Sequence, residues 1–225
     1  MTHRRLFLLL ILLAIPLTAS AKKKDPGPVL RADQPAGDSE QISAGAAAYT
    51  MCAACHGPTG EGQTGLAPRL NSQTFLSAAS NEFITETIRT GRTGTNMVPW
   101  YGGLGDATLR NIVAYIRSWQ TVDSAELNEA PLGGDATAGK RLFVDVCAAC
   151  HGQTGAGYSA GVDGIGIGRK DFLANASNGF LRHMIRNGKS GTLMSSFSSD
   201  QAVGVDDLSD EQIDSVILFL RENAW

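Results

Sequence analysis

Six residues occur twice in this chain without change, as Cys52-Ala53-Ala54-Cys55-His56-Gly57 and as Cys147-Ala148-Ala149-Cys150-His151-Gly152. In a helical turn the two cysteines lie three residues apart on one face. Each can then form a thioether to one vinyl group of a porphyrin. The histidine that follows is held beneath the ring with its imidazole aimed at the iron. Cys-x-x-Cys-His is the attachment pattern of a c-type haem, and two copies imply two covalent haems.

Other uses of paired cysteines fit less well. A zinc ribbon brings its pairs together across a short loop, whereas these start 95 residues apart and each carries a histidine. A thioredoxin-like redox pair needs a βαβ context that neither site has. Two disulfides would suit an exported protein but leave the repeated histidines without a role. Gly60-Glu61-Gly62-Gln63-Thr64-Gly65 matches a dinucleotide fingerprint in letters only, because no strand precedes it and Pro68 follows where a helix should start.

About forty residues after each histidine comes a loop of the form Gly-x-x-Gly-Thr-x-Met, ending at Met97 and at Met194. A thioether opposite histidine raises a haem's potential and closes the iron to outside ligands. Met97 and Met194 are therefore the expected sixth ligands, rather than fillers of core gaps. Met51 and Met184 have no counterpart in the other half and are expected in the core. His183 aligns with Glu86, an outward helical position, and is expected to be solvated.

The elements that position these groups repeat as well. A helix from about Ile42 into Cys52 carries Gly45 and Tyr49 one turn apart, and Gly139 and Phe143 are their mates. A glycine inside a helical pattern marks close contact with another helix. The helix Glu82 to Thr90, ended by Gly91, pairs with Asn178 to Asn187, ended by Gly188. A last helix capped by Asp106 has Leu109, Ile112, Val113 and Ile116 on one face. Its mate, capped by Ser209-Asp210, has Ile213, Val216, Ile217 and Leu220. Tyr115 corresponds to Phe219. The expected fold class is all-α, two tandem small domains produced by duplication. Each has so little apolar surface of its own that a covalent porphyrin must complete its core.

Around these units, Arg4-Arg5, the apolar run Leu6 to Leu17 and Ala19-Ser20-Ala21 read as a signal peptide over 1–21. Twelve apolar residues in a helix reach about 18 Å, short of a hydrocarbon core of roughly 30 Å. Cleavage after Ala21 is expected, with a retained N-terminal anchor as the alternative. Residues 22–40 read as a flexible tether, 41–122 as the first domain, 123–134 as the core of a polar linker over 121–136, and 135–225 as the second domain. Removing Arg4 and Arg5 takes the formal net charge from −3 to −5, a poor balance for nucleic acid.

The Gly–aromatic first helix, both Cys-x-x-Cys-His-Gly motifs, the methionine loops and the aromatic-bearing last helices resemble the class I, mitochondrial-like cytochromes c in their tandem dihaem form. The resemblance covers nearly all of 41–225. It implies that a proline carbonyl after the motif accepts a hydrogen bond from the histidine, which places Pro68 against His56. The second half has Gly164-Ile165-Gly166-Ile167 there, and Ser195-Ser196 after Met194 where Pro99 follows Met97. Those departures lead to the expectation that the second site is held less firmly.

What the resemblance implies about function is electron transfer in the periplasm, passing single electrons between redox protein partners and making no bonds. The alternatives are a cytochrome subunit of a larger respiratory or dehydrogenase complex, and a dihaem peroxidase-type enzyme with an open second haem. The intact mass of the mature protein is expected to exceed that of its polypeptide by two haems, with neither extracted by acid–acetone. A mass with one haem would contradict the reading of one motif.

Overall fold

Asp38 opens the first unit. Its carboxylate accepts the Gln41 N–H at 2.8 Å, and the Gln41 side chain accepts the Asp38 N–H at 3.1 Å, so the cap satisfies two donors that the helix leaves over. From there α1 (Ser39–His56) runs to the end of the first motif, followed by α2 (Gln73–Ala78), α3 (Asn81–Thr90) and α4 (Asp106–Arg117). Asp106 is the first residue of α4 and makes no cap; Gly105 stands at that position. The second unit repeats the order as α5 (Ala136–Leu142) and α6 (Ala148–His151), α7 (Lys170–Asn175), α8 (Asn178–Asn187) and α9 (Asp210–Glu222). The computed structural model describes residues 29–31, 37–198 and 207–225. The expected signal peptide and most of the expected tether lie outside the described residues. Among those described, no helix is long and apolar enough to cross a membrane.

The first helix of the second unit is not a plain copy. Between α5 and α6, Phe143–Cys147 form a π-helical turn. The reason is countable: Tyr49 precedes Cys52 by three residues, whereas Phe143 precedes Cys147 by four. A π-turn absorbs one added residue without breaking the helix, so Phe143 keeps its place in the core and the motif keeps its place beyond it.

Within each unit the first and last helices cross at a glycine. A Cβ on Gly45 would run into the Asn111 carbonyl of α4, and one on Gly139 into the Ser215 carbonyl of α9. One turn on, Tyr49 meets Tyr115 and Trp119 edge-on at 5.4 and 5.2 Å, and Phe143 meets Phe219 at 5.3 Å. A buried arginine ties the last helix to the rest. Arg117, 1% exposed, donates to Asn81 Oδ1 at 2.8 Å and to the carbonyls of Leu76 and Ala79. Arg221 makes the same three bonds to Asn178, Leu173 and Ala176. Each guanidinium thereby satisfies carbonyls at the end of one short helix and fixes the start of the next.

The two units share one core. Phe83 and Phe180 stack at 4.9 Å, flanked by Phe75 on Phe180 at 6.2 Å and Phe172 on Phe83 at 6.3 Å. The segment read as a polar linker is pinned to both units, because its polar groups find specific partners. Ala125 N–H donates to the Ser77 carbonyl, Glu129 accepts from Ser177 and the Gly179 N–H, and Leu127 is buried. Its strand β2 (Glu126–Asn128) pairs antiparallel with β1 (Val29–Arg31), which lies inside the segment read as a flexible tether. Phe83→Ala is expected to cost about 3–5 kcal/mol. Urea unfolding of the whole protein is expected to be one transition. Two separated transitions, with only one moved by the substitution, would contradict a shared core.

Candidate functional site

Helix α1 delivers Cys52, Cys55 and His56 on its last turns, and Gly57 ends it. In the second unit the π-turn delivers Cys147, and α6 delivers Cys150 and His151. All four cysteines are free, and no group of three or more His, Cys, Asp and Glu side chains gathers among the described residues. That matches neither the disulfide nor the zinc alternative. Burial, then the neighbouring cysteine, pushes the thiols of Cys52 and Cys147 up to about 11.

His56 is buried, and its Nδ1 lies 2.9 Å from the Pro68 carbonyl oxygen. A carbonyl only accepts, so Nδ1 carries the proton and Nε2 keeps a free lone pair. His151 does the same with the Ile165 carbonyl, also at 2.9 Å. Burial lowers the basicity of both imidazoles and outweighs the backbone hydrogen bond that raises it. Both therefore favour the neutral form that can ligate a metal. The glycines that stand in place of proline do not cost the second histidine its hydrogen-bond partner. What fixes the ring is a backbone carbonyl, and Ile165 supplies one at the same distance.

The methionine loops are also alike. Gly91 and Gly188 both take φ of 68°, a conformation that a side chain would strain, and both pass close beneath the methionine carbonyl. Arg92 N–H donates to the Met97 carbonyl at 2.8 Å, and Lys189 N–H to the Met194 carbonyl at 2.7 Å. Thr95 and Thr192 hydroxyls accept the N–H of Met97 and Met194 at 3.1 and 3.2 Å. Ser196 occupies the place of Pro99. It is 4% exposed, donates to the Arg186 carbonyl at 2.6 Å and accepts the Ser198 N–H at 3.1 Å. Hydrogen bonds thus hold the second loop where a proline ring stiffens the first.

Met97 is half-buried against the core, and Met194 is half-buried. Met184 is buried as expected. Met51 is instead 42% exposed, because α1 turns that face outward beside the motif. His183, expected to be solvated, is half-buried, and burial lowers its basicity.

These residues fit a haem in both units. Each has two free cysteines on one helical turn, an imidazole with its Nε2 lone pair uncommitted, and a methionine in a loop fixed at both ends. Cys52, Cys55, His56 and Met97 would hold one group, with Pro68 orienting the imidazole. Cys147, Cys150, His151 and Met194 would hold the other, with Ile165 in the orienting role. Ile165 went unread in the sequence because its part is played by a main-chain oxygen, which carries no residue signature.

A family model described as cytochrome c oxidase, cbb3-type, subunit III, matches residues 40–116 and 134–220. The cbb3-type oxidase subunit CcoP of Rubrivivax gelatinosus is 34% identical over 143 residues, covering 63% of this chain and 43% of that protein. CcoP of Azospirillum sp. is 30% identical over 159 residues, covering 63% and 51%. The chain thus spans about half the length of the curated relatives it matches. Among solved structures, a chain of the Kuenenia stuttgartiensis reducing HAO-like protein complex superposes with a TM-score of 0.54 at 21% identity, over 86% of this chain and all of that one. That likeness speaks for the fold.

Ser196→Ala removes two hydrogen bonds at a buried position, an expected cost of about 1–3 kcal/mol. The near-infrared methionine–iron band of the second unit is expected to fade at lower denaturant than in the parent. An unchanged midpoint would show that Ser196 does not hold the loop.

Proposed function

The chain belongs to the cbb3-type cytochrome c oxidase subunit III family, and from that premise we propose that it is a dihaem electron-transfer cytochrome working beside a membrane redox complex. Cytochrome c domains bind haem c covalently, and two such domains make two haems. Bound haem c supplies a one-electron couple. The chain's own residues do the rest. The cysteines would hold the group covalently, the histidines, with Nδ1 committed to a backbone carbonyl, would ligate its iron, and the methionines would supply the further ligand.

The observation that carries this reading is the matched pair of imidazole–carbonyl hydrogen bonds, each at 2.9 Å. Each orients an imidazole and raises its donor strength, as partners behind a ligand do. Paired with ligation by the methionine of each loop, this would give a closed iron suited to passing electrons and unsuited to binding a substrate. The repetition of the whole frame in the second unit speaks against the reading with an open second haem.

Electron donor and acceptor are redox proteins. The relatives' role as oxidase subunits favours delivery to such a complex over free diffusion between partners. The apolar run after Arg4-Arg5 supports export, with the two domains on the periplasmic side whether that segment is cleaved or kept as an anchor. A redox titration followed optically is expected to give two one-electron steps between low-spin spectra, and the reduced protein is expected to be blind to carbon monoxide. Carbon monoxide binding to one haem would instead favour an enzyme with an open iron.

A further inference from the structure

Each methionine sits at the base of a loop that is closed on itself. In the first unit, Arg92 N–H donates to the Met97 carbonyl at 2.8 Å, and the Thr95 N–H and hydroxyl donate back to the Arg92 carbonyl at 3.1 and 2.8 Å. In the second, Lys189 N–H donates to the Met194 carbonyl at 2.7 Å, and the Thr192 N–H and hydroxyl donate to the Lys189 carbonyl at 3.1 and 2.8 Å. A loop cross-bonded at its base pivots as one body. Whatever holds its tip therefore also sets where its methionine stands.

Both tips rest on the other unit. Thr93 N–H donates to Asp171 Oδ2 at 2.7 Å. The Gly94 carbonyl accepts from Arg169 Nη2 at 3.4 Å, and a Cβ on Gly94 would stand 2.7 Å from Nη1 of the same guanidinium. In return, Ser190 N–H donates to Thr74 Oγ1 at 3.2 Å, the Ser190 and Ser72 hydroxyls bond at 3.0 Å, and a Cβ on Gly191 would stand 3.0 Å from Arg69 Cζ. Arg69 directly follows Pro68, whose carbonyl faces His56, and Arg169 comes four residues after Ile165, whose carbonyl faces His151. The segment that aims one unit's histidine thus braces the other unit's methionine loop. Gly94 and Gly191 are mates 97 residues apart, but Arg69 and Arg169 are 100 apart. Duplication therefore did not simply copy this contact; the two units reach it from different positions. Arg169 is also held from behind, buried, with its guanidinium over Trp225 at 4.2 Å and Nη2 donating to the Ser159 hydroxyl at 3.0 Å.

We propose that Arg169 and Asp171 are positioning residues for Met97, and Arg69 and Thr74 for Met194, so that each unit holds the other's methionine in place for its iron. Neither site is complete in its own unit, and docking of the units is part of how each methionine is presented. The two holds differ in strength. A carboxylate accepts a shorter and stronger hydrogen bond than a hydroxyl does, so Asp171 fixes the first loop more firmly than Thr74 fixes the second. This rests on the reading of Met97 and Met194 as ligands.

The test follows imidazole replacing methionine in the oxidised, full dihaem protein, a rate limited by how often each loop opens. The two phases are assigned by their loss in Met97→Ala and in Met194→Ala. Asp171→Ala is expected to speed the Met97 phase roughly three- to tenfold and to leave the Met194 phase and the urea midpoint of the whole protein in place. Arg169→Ala is expected to speed the same phase. Asp171→Asn, which keeps an acceptor, is expected to stay near the parent, and Thr74→Val to speed the Met194 phase instead. An Asp171→Ala protein whose Met97 phase is unchanged overturns the proposal alone. So does one in which both phases quicken together as the urea midpoint falls, since that marks a merely structural role. A parent protein without two methionine-dependent phases overturns the ligand reading and the proposal with it.

Discussion

A hydrogen bond from an imidazole Nδ1–H to a main-chain carbonyl is the constraint on which each half of this molecule depends. It fixes the tautomer, leaves Nε2 uncommitted and sets the plane of the ring before any metal is considered. The surrounding fold holds that bond in place. Gly45 and Gly139 let the motif helix press against the last helix. Tyr49 donates from its hydroxyl to the Gly57 carbonyl at 3.1 Å, tying the aromatic cluster to the turn just past His56. The loop carrying Pro68 or Ile165 needs only to present one oxygen at the right place.

Duplication explains more than the count of motifs. Two copies of one patch, joined in one chain, meet face to face around Phe83 and Phe180. The methionine loops lie at that contact, since Arg92 and Lys189 each bind their own loop's methionine carbonyl by the main chain and the other unit's phenylalanine by the side chain. The contact that holds the units together thus also links the two ligand loops.

The sequence displayed the motif residues and the methionine loops directly, because their chemistry demands particular side chains at particular spacings. The helix pairing was legible through Gly45, Gly139 and the aromatic one turn beyond each. The extra residue before Cys147 was also countable, though its outcome as a π-turn depends on Phe143 keeping its buried place. Other features were hidden for physical reasons. A backbone acceptor such as Ile165 has no side-chain mark, and Ser196 replacing Pro99 looked like a loss of stiffness until its two hydrogen bonds were seen. Phe75 and Phe172 read as ordinary apolar residues, since periodicity says that a face is buried but not against what. The segment 121–136 read as a linker because its fixation comes from Glu129 and main-chain groups rather than from hydrophobic pattern.

The claim at the centre of this account is that both halves close their iron with the same pair of ligands, histidine and methionine, despite the departures around the second site. Proton NMR of the fully reduced protein tests it most directly, since a methionine methyl held over a haem is shifted strongly upfield. The account predicts two such three-proton resonances, one abolished by Met97→Ala and the other by Met194→Ala. A single resonance, abolished by Met97→Ala and untouched by Met194→Ala, would contradict it.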